Sequence, residues 1–224
     1  MMDKNRSRLR ASLFMKTAVL VLGVLGQVLS LMRHHFMSGN HFLYYTNLSN
    51  VLAVLLMAVM LGYEWQGRRA GELAVLPGWL QQARFILTTA ILLTFVGFSL
   101  LLIPLVDRDY LLSPSNLLVH NAVPLLTGLD YVLFSGRDGK PRLVSALAGP
   151  AVYVLFALAL GLGGHRFHGS VAPYYFLDYE KLGWLQAGEG RLGVIYWLLI
   201  LGAVQLVIAR ILSGLRTIAA NKAP

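Results

Sequence analysis

An all-α membrane protein of six transmembrane helices, with both termini on the cytoplasmic side, is the fold class this sequence predicts. Three observations predict it. Hydrophobic residues make up 57% of the 224 positions and charged residues only 13%, with a mean hydropathy of +0.64, a balance that a soluble globule would meet only by exposing large apolar patches. Six apolar runs each supply the roughly 20 residues that a helix needs to cross a hydrocarbon core about 30 Å thick. The basic residues fall mainly in alternate connections, which fixes an orientation.

The first span, 12–32, comes after a basic start with Arg6, Arg8 and Arg10. It begins like a signal peptide, but Arg33-His34-His35-Phe36 stands where a small-residue cleavage site would be, so it reads as a retained anchor. The second, 41–63, has Asn40 as its predicted N-cap. A Gly-rich connector, 64–82, leads to the third span, 83–106; its stretch 73–80 could lie in the membrane interface. Ser113-Pro114 is an N-cap with a first-turn proline after it, and it opens the fourth span, 114–134. The fifth and sixth, 142–163 and 192–214, flank an outer segment holding Pro173-Tyr174-Tyr175-Phe176-Leu177-Asp178 and Trp184. These aromatics suit either an interfacial belt or a lid over an outward-facing site. No internal repeat or second domain is evident, so residues 1–224 read as a single domain.

Fourteen of the 19 basic residues lie on the side of the termini, among them Lys16, Arg69, Arg84, Arg137 and Arg142, which selects N-in and C-in. The net charge of +9 is spread over short loops beside a bilayer, so anionic lipid headgroups are the expected partner and nucleic acid is not. Absence of cysteine removes disulfides, thiolate metal sites and a cysteine nucleophile together. Short loops without cysteine point to a bacterial inner membrane, with the site towards the periplasm. Oligomeric state is not readable.

Two polar motifs interrupt the apolar runs: Tyr44-Tyr45-Thr46-Asn47-Leu48-Ser49-Asn50, and His120-Asn121-Ala122-Val123-Pro124. Ionisable and polar groups are costly inside a bilayer and mark a site by default. Counting from the two caps at 1.5 Å per residue, Thr46 lies about 9 Å and His120 about 10 Å along their helices, at one level of the outer leaflet. Thr46, Ser49, Asn50 and Ala53 share one helical face, and Asn116, His120, Pro124, Thr127 and Tyr131 form a stripe on the fourth span. Pro124 has no amide hydrogen, so the His120 carbonyl is expected to lose its helical partner. The pocket between these stripes would include Tyr45, and Tyr174 and Phe176 from the outer segment.

Plainer readings stand beside this one. Thr46 or Ser49 alone fits bonding to the carbonyl a turn back, or interhelical glue, and His120 alone fits a packing histidine. Asn47-Leu48-Ser49 matches a glycosylation sequon by chance, within a span. Asp130 reads as structural, snorkelling or pairing with Arg137 or Arg142.

Tyr-x-Thr-x-x-Ser-Asn on the second span, His-x-x-x-Pro with a later Asp on the fourth, and Phe-Leu-Asp before the sixth together resemble the androgen-induced-gene family of integral-membrane hydrolases. The resemblance runs over the whole six-helix chain. It implies a threonine hydrolase of fatty acid esters of hydroxy fatty acids, with Thr46 as nucleophile and His120 as base. The family's loop motif is Tyr-Pro-Phe-x-Asp; Tyr175 replaces the proline here, which leaves the lid conformation open, while Asp178 matches. An imidazole with a pKa of about 6.5 suits proton removal from a hydroxyl. Asn47, Asn50 or Asn121 could stabilise the oxyanion, and Asp178 could orient His120 as the third member of a triad.

Other classes remain. A lipid acyltransferase would use the same residues with an alcohol in place of water. A transporter is weakened by the scarcity of ionisable residues in the spans and the lack of an inverted repeat. His34, His35, His41, His165 and His168 lie near the outer face, and His165-x-x-His168 has a zinc spacing, but loop histidines are more often solvated. With only His120 well inside a span, haem is disfavoured. The expectation is no metal and no cofactor.

Overall fold

Each of the six apolar runs forms a helix long and apolar enough to cross a membrane: α1 (Met2–Arg33), α2 (Tyr45–Gly67), α3 (Gly78–Leu105), α4 (Pro114–Phe134), α5 (Leu143–Leu162) and α6 (Val194–Lys222). The computed structural model describes residues 2–33, 40–68, 73–136, 138–188 and 190–222. His34, His35, Phe36, Arg69 and Arg137, named above from the sequence, lie outside them. Six crossings put both termini on one face; the other face carries the long segment between α5 and α6.

Hydropathy marks the part of a helix that suits hydrocarbon, and α1, α3 and α6 run past it. Their backbone hydrogen bonds continue into zones where polar side chains reach water. α3 starts at Gly78, after the extended Pro77, and the stretch expected at the interface instead sends Leu76 and Leu80 into the core. Val19, Ala53, Met57, Met60, Ile91 and Val123 form that core where α1 to α4 cross. α5 stands at the periphery, packed on α3 and α6.

The start of α2 corrects the predicted cap. Residues His41–Leu43 form a short 3-10 turn, Tyr44 is extended, and the helix begins at Tyr45. The Asn40 side chain caps neither the turn nor the helix: its amide donates to the Arg166 carbonyl at 3.3 Å, and its oxygen meets His165 Nε2 at 2.8 Å. It ties the start of α2 to the outer segment instead. That segment folds over the helix ends with Val171, Ala172, Leu177 and Val194 as its own small core. Gly161 permits this closure, because a Cβ there would stand 2.2 Å from the Val171 carbonyl oxygen.

Two π turns, Phe98–Leu102 in α3 and Leu118–Ala122 in α4, each end two residues before a proline, Pro104 and Pro124. A proline ring presses on the carbonyl a turn back and removes a donor; winding out to a five-residue spacing relieves both. The extra residue also rotates the remainder of the helix, so the expected stripe on α4 is broken. In the π register the Val123 amide bonds to the Leu118 carbonyl, and the position that would serve Val119 is Pro124. The carbonyl rescued by a side chain is therefore that of Val119 rather than His120: Asn50 Nδ2 donates to it at 2.9 Å.

Four helices are joined by buried charge on the side of the termini. Lys16 of α1 lies 2.7 Å from Asp130 of α4 and 3.0 Å from Glu64 of α2; Arg84 of α3 lies 2.8 Å from the other Asp130 oxygen. Ser12 bridges Lys16 and Glu64, and Arg84 reaches on to Asp138 at 3.2 Å. Two expectations are corrected here. Asp130 is structural, but its partners are Lys16 and Arg84 and not Arg142, since it is fully buried and too deep to snorkel. The spans are also not poor in ionisable residues: two cations counted with the loops are inside the bundle. Arg216 of α6 completes the closure on the side of the termini by donating to the carbonyls of Ser135, Asp138 and Gly139.

Candidate active site

Thr46 stands in the first turn of α2 and His120 in the π turn of α4, and both line one cavity of about 390 Å³. No direct hydrogen bond joins them, which is common for a nucleophile and base without substrate. Thr46 also lines a second cavity of about 690 Å³, walled mostly by aliphatic residues of α3, α5 and α6. The two cavities share Thr46, Phe98, Leu102 and Tyr174, so the threonine hydroxyl sits where they meet.

The imidazole of His120 is buried and stacks on Phe98, with ring centroids 3.9 Å apart and planes 26° from parallel. It faces the Asn116 backbone one turn back, but its Nδ1 forms no well-made hydrogen bond. Stacking rather than a carboxylate thus sets the ring plane. Phe98 went unnoticed in the sequence, although the six-residue interval from Phe98 to Pro104 repeats that from Leu118 to Pro124 and signals the paired π turns.

Tyr174 makes the closest polar contact with Thr46 from the outer segment. Its hydroxyl accepts the Thr46 amide at 3.3 Å and faces the Thr46 hydroxyl. Burial pushes the phenol up to about 12, against the pull of those two Thr46 groups, so at neutral pH it keeps its proton. Phe176 stacks on it at 5.2 Å and continues into the larger cavity. Tyr45 lines the larger cavity too, its hydroxyl donating to the Ala90 carbonyl at 3.0 Å.

Several expected site residues do other work. Asn47 Nδ2 donates to the His41 carbonyl at 2.8 Å and meets His41 Nδ1 at 3.5 Å. Asn50 Nδ2 serves the carbonyls of Thr46 and Val119 at 2.8 and 2.9 Å. Neither amide retains a donor for an oxyanion. Asn121 lines neither cavity. Asp178 accepts from the Ser170 hydroxyl and the Lys181 amide. Burial alone would raise its carboxyl, but those bonds and the Lys181 ammonium outweigh it and hold it below the usual carboxylate range. Asp178 is the N-cap of the short helix Tyr179–Leu182, with no contact to His120, so the triad expectation fails on geometry.

The expected stripes contribute little beyond Thr46 and His120. Ser49 bonds the Thr46 carbonyl and Thr94 of α3, Asn116 the Leu111 carbonyl, and Thr127 the Val123 carbonyl. Pro124 sits buried within the bundle, and Tyr131 packs on Phe85 towards the side of the termini. None of these five lines either cavity; Pro124, Thr127 and Tyr131 lie beyond the π turn, which rotates that part of α4 away, and Ser49 and Asn116 are held by the bonds just given. His165 is committed to Asn40, while His41 and His168 line the smaller cavity.

Asn50 gives a direct test of the π turn. Asn50→Leu strands the Val119 carbonyl in an apolar setting, and the expected cost is about 1–3 kcal/mol. Detergent-solubilised protein should show a lowered unfolding midpoint, and an unchanged midpoint would mean that the carbonyl finds another donor.

Comparison with protein-family models, with curated proteins and with solved structures finds no match.

Proposed function

We propose that the protein is an intramembrane hydrolase of lipid (fatty acyl) esters, with Thr46 as nucleophile and His120 as general base. One observation carries the reading: a half-buried threonine and a buried imidazole face a common cavity, and that threonine also borders a large apolar cavity. Resemblance to the androgen-induced-gene family at the same two residues supports it.

In this reading Thr46 Oγ1 attacks the ester carbonyl carbon while its proton passes to His120. The carbonyl–alkoxy bond breaks and the alcohol leaves with that proton. Water, deprotonated by the same imidazole, then attacks the acyl-threonine; the acid is released and Oγ1 regains its proton. Tyr174 takes the oxyanion role that Asn47 and Asn50 cannot fill, because a neutral phenol so close to Thr46 can donate to the former carbonyl oxygen, where charge develops once Oγ1 has bonded to the acyl carbon. The smaller cavity reaches exposed His168, which gives water a path and favours hydrolysis over acyl transfer. A transporter gains intramembrane charges from Lys16, Glu64, Arg84 and Asp130, but they are paired with one another and line neither cavity. The orientation that belongs to this reading is N-in and C-in in a bacterial inner membrane, with the site on the periplasmic side; the bias of basic residues supports it.

The experiment is capture of the nucleophile. A fluorophosphonate probe should attach to Thr46 of the purified protein, located by peptide mass spectrometry, and Thr46→Ala should remain unlabelled. Labelling at another hydroxyl, or none with any lipid ester hydrolysed, would reject the assignment.

A further inference from the structure

The two cavities that meet at Thr46 differ in wall chemistry and in where they open. The larger is bounded by Leu93, Leu101, Val154, Leu198 and Leu206 among others. Three of its lining residues, Leu155, Leu199 and Leu206, are also exposed on the apolar exterior of α5 and α6. Its mouth is therefore in the surface that faces hydrocarbon. The smaller is edged by Ser30, Tyr44, Tyr110 and His168, whose hydroxyl and imidazole groups can hydrogen-bond a polar ligand, and is closed by apolar residues such as Leu102 and Val106. It opens where His168 is exposed at the outer face. His168 holds a left-handed backbone, φ 51°, as a central residue of the two-residue turn that pairs Phe167 with Ser170.

We propose that the larger cavity takes one long acyl chain directly from the bilayer and the smaller takes a compact polar alcohol of the glycerol class, so that the preferred substrate is a single-chain acyl ester. The inference rests on the hydrolase reading and departs from the two-chain esters that the family resemblance implies. A second long chain as leaving group would have to lie along the hydroxyls of Ser30, Tyr44 and Tyr110 and the imidazole of His168, to which hydrocarbon offers no hydrogen bond. A polyol there satisfies them. His120 lines only the smaller cavity, which puts the base beside the departing alkoxide that must be protonated. The ester carbonyl then falls at the shared wall, beside Thr46 and Tyr174.

Gly202 supplies a test of the acyl side. It lines the larger cavity, and a Cβ there would meet only Leu147 Cδ2, at 3.9 Å, so Gly202→Phe can point a ring into the cavity without a clash at its base. Three esters are assayed in mixed micelles: palmitoylglycerol, octanoylglycerol and the palmitoyl ester of hydroxystearic acid. Wild type should hydrolyse palmitoylglycerol with a kcat/KM roughly tenfold or more above that for the two-chain ester, and Gly202→Phe should shift the preference from palmitoyl to octanoyl by a similar factor. Equal or better turnover of the two-chain ester overturns the alcohol assignment. An unchanged chain-length preference in a Gly202→Phe protein that melts like wild type overturns the acyl assignment. Fluorophosphonate labelling of wild-type Thr46 separates these outcomes from failure of the hydrolase reading: without labelling, both fall together.

Discussion

Replacing Thr46 or His120 with alanine lowers kcat for ester hydrolysis on the order of 10³-fold or more, and replacing both costs scarcely more than replacing one. Independent contributions would multiply to about 10⁶-fold. The expected near-equality of single and double variants comes from the roles assigned: an imidazole with no hydroxyl to deprotonate does nothing, and a threonine hydroxyl without a base is a poor nucleophile. The measurement is steady-state turnover of palmitoylglycerol by four purified proteins, wild type, each single variant and the double. Multiplicative losses would show that the two residues act separately. Wild-type turnover in Thr46→Ala would remove the threonine from the chemistry, and Ser49, already bonded to Thr94, would be the next hydroxyl to test.

The second large effect is on stability. Asp130→Ala leaves Lys16 and Arg84 buried without the carboxylate that lies 2.7 and 2.8 Å from them. Removing one partner of a buried ion pair costs about 3–5 kcal/mol, most of it from the uncompensated charge left behind. The variant should therefore unfold at a markedly lower denaturant concentration. Adding Lys16→Met should recover part of the loss, because one stranded cation goes with it. An Asp130→Ala protein as stable as wild type would show that water reaches the cluster, and no recovery in the double variant would show that Lys16 is satisfied by Glu64 and Ser12 alone.

Hydropathy was enough to find six helices, because the hydrocarbon requirement acts on every residue of a span. It could not find their ends, which lie where polar side chains no longer oppose helix. Thr46 and His120 were legible as polar groups at similar depth. Their meeting nevertheless came about differently from the expected route, since α2 starts at Tyr45 and the Asn40 side chain caps neither the turn nor the helix. Asn47 and Asn50 looked like oxyanion donors because sequence shows an amide but not what it bonds; each turned out to satisfy a carbonyl. Pro124 announced a missing hydrogen bond, yet the π register moved it by one residue, to Val119. Lys16 and Arg84 sat near the span edges and were counted as loop cations. Only their shared contact with Asp130, on the fourth span, reveals them as interior.

The same ion cluster makes the charge of α1 to α3 incomplete without α4. As the chain is made, α1 to α3 bring two cations, Lys16 and Arg84, against one cluster carboxylate, Glu64, and Asp130 arrives only with α4. A Lys or Arg costs roughly 2.5–3.5 kcal/mol at the centre of a span and less near its ends, where the side chain can extend to headgroups. Asp130 alone meets both cations in the finished bundle. The one helix α4 thus carries the carboxylate that neutralises the cluster and, in its π turn, the imidazole that shares a cavity with Thr46.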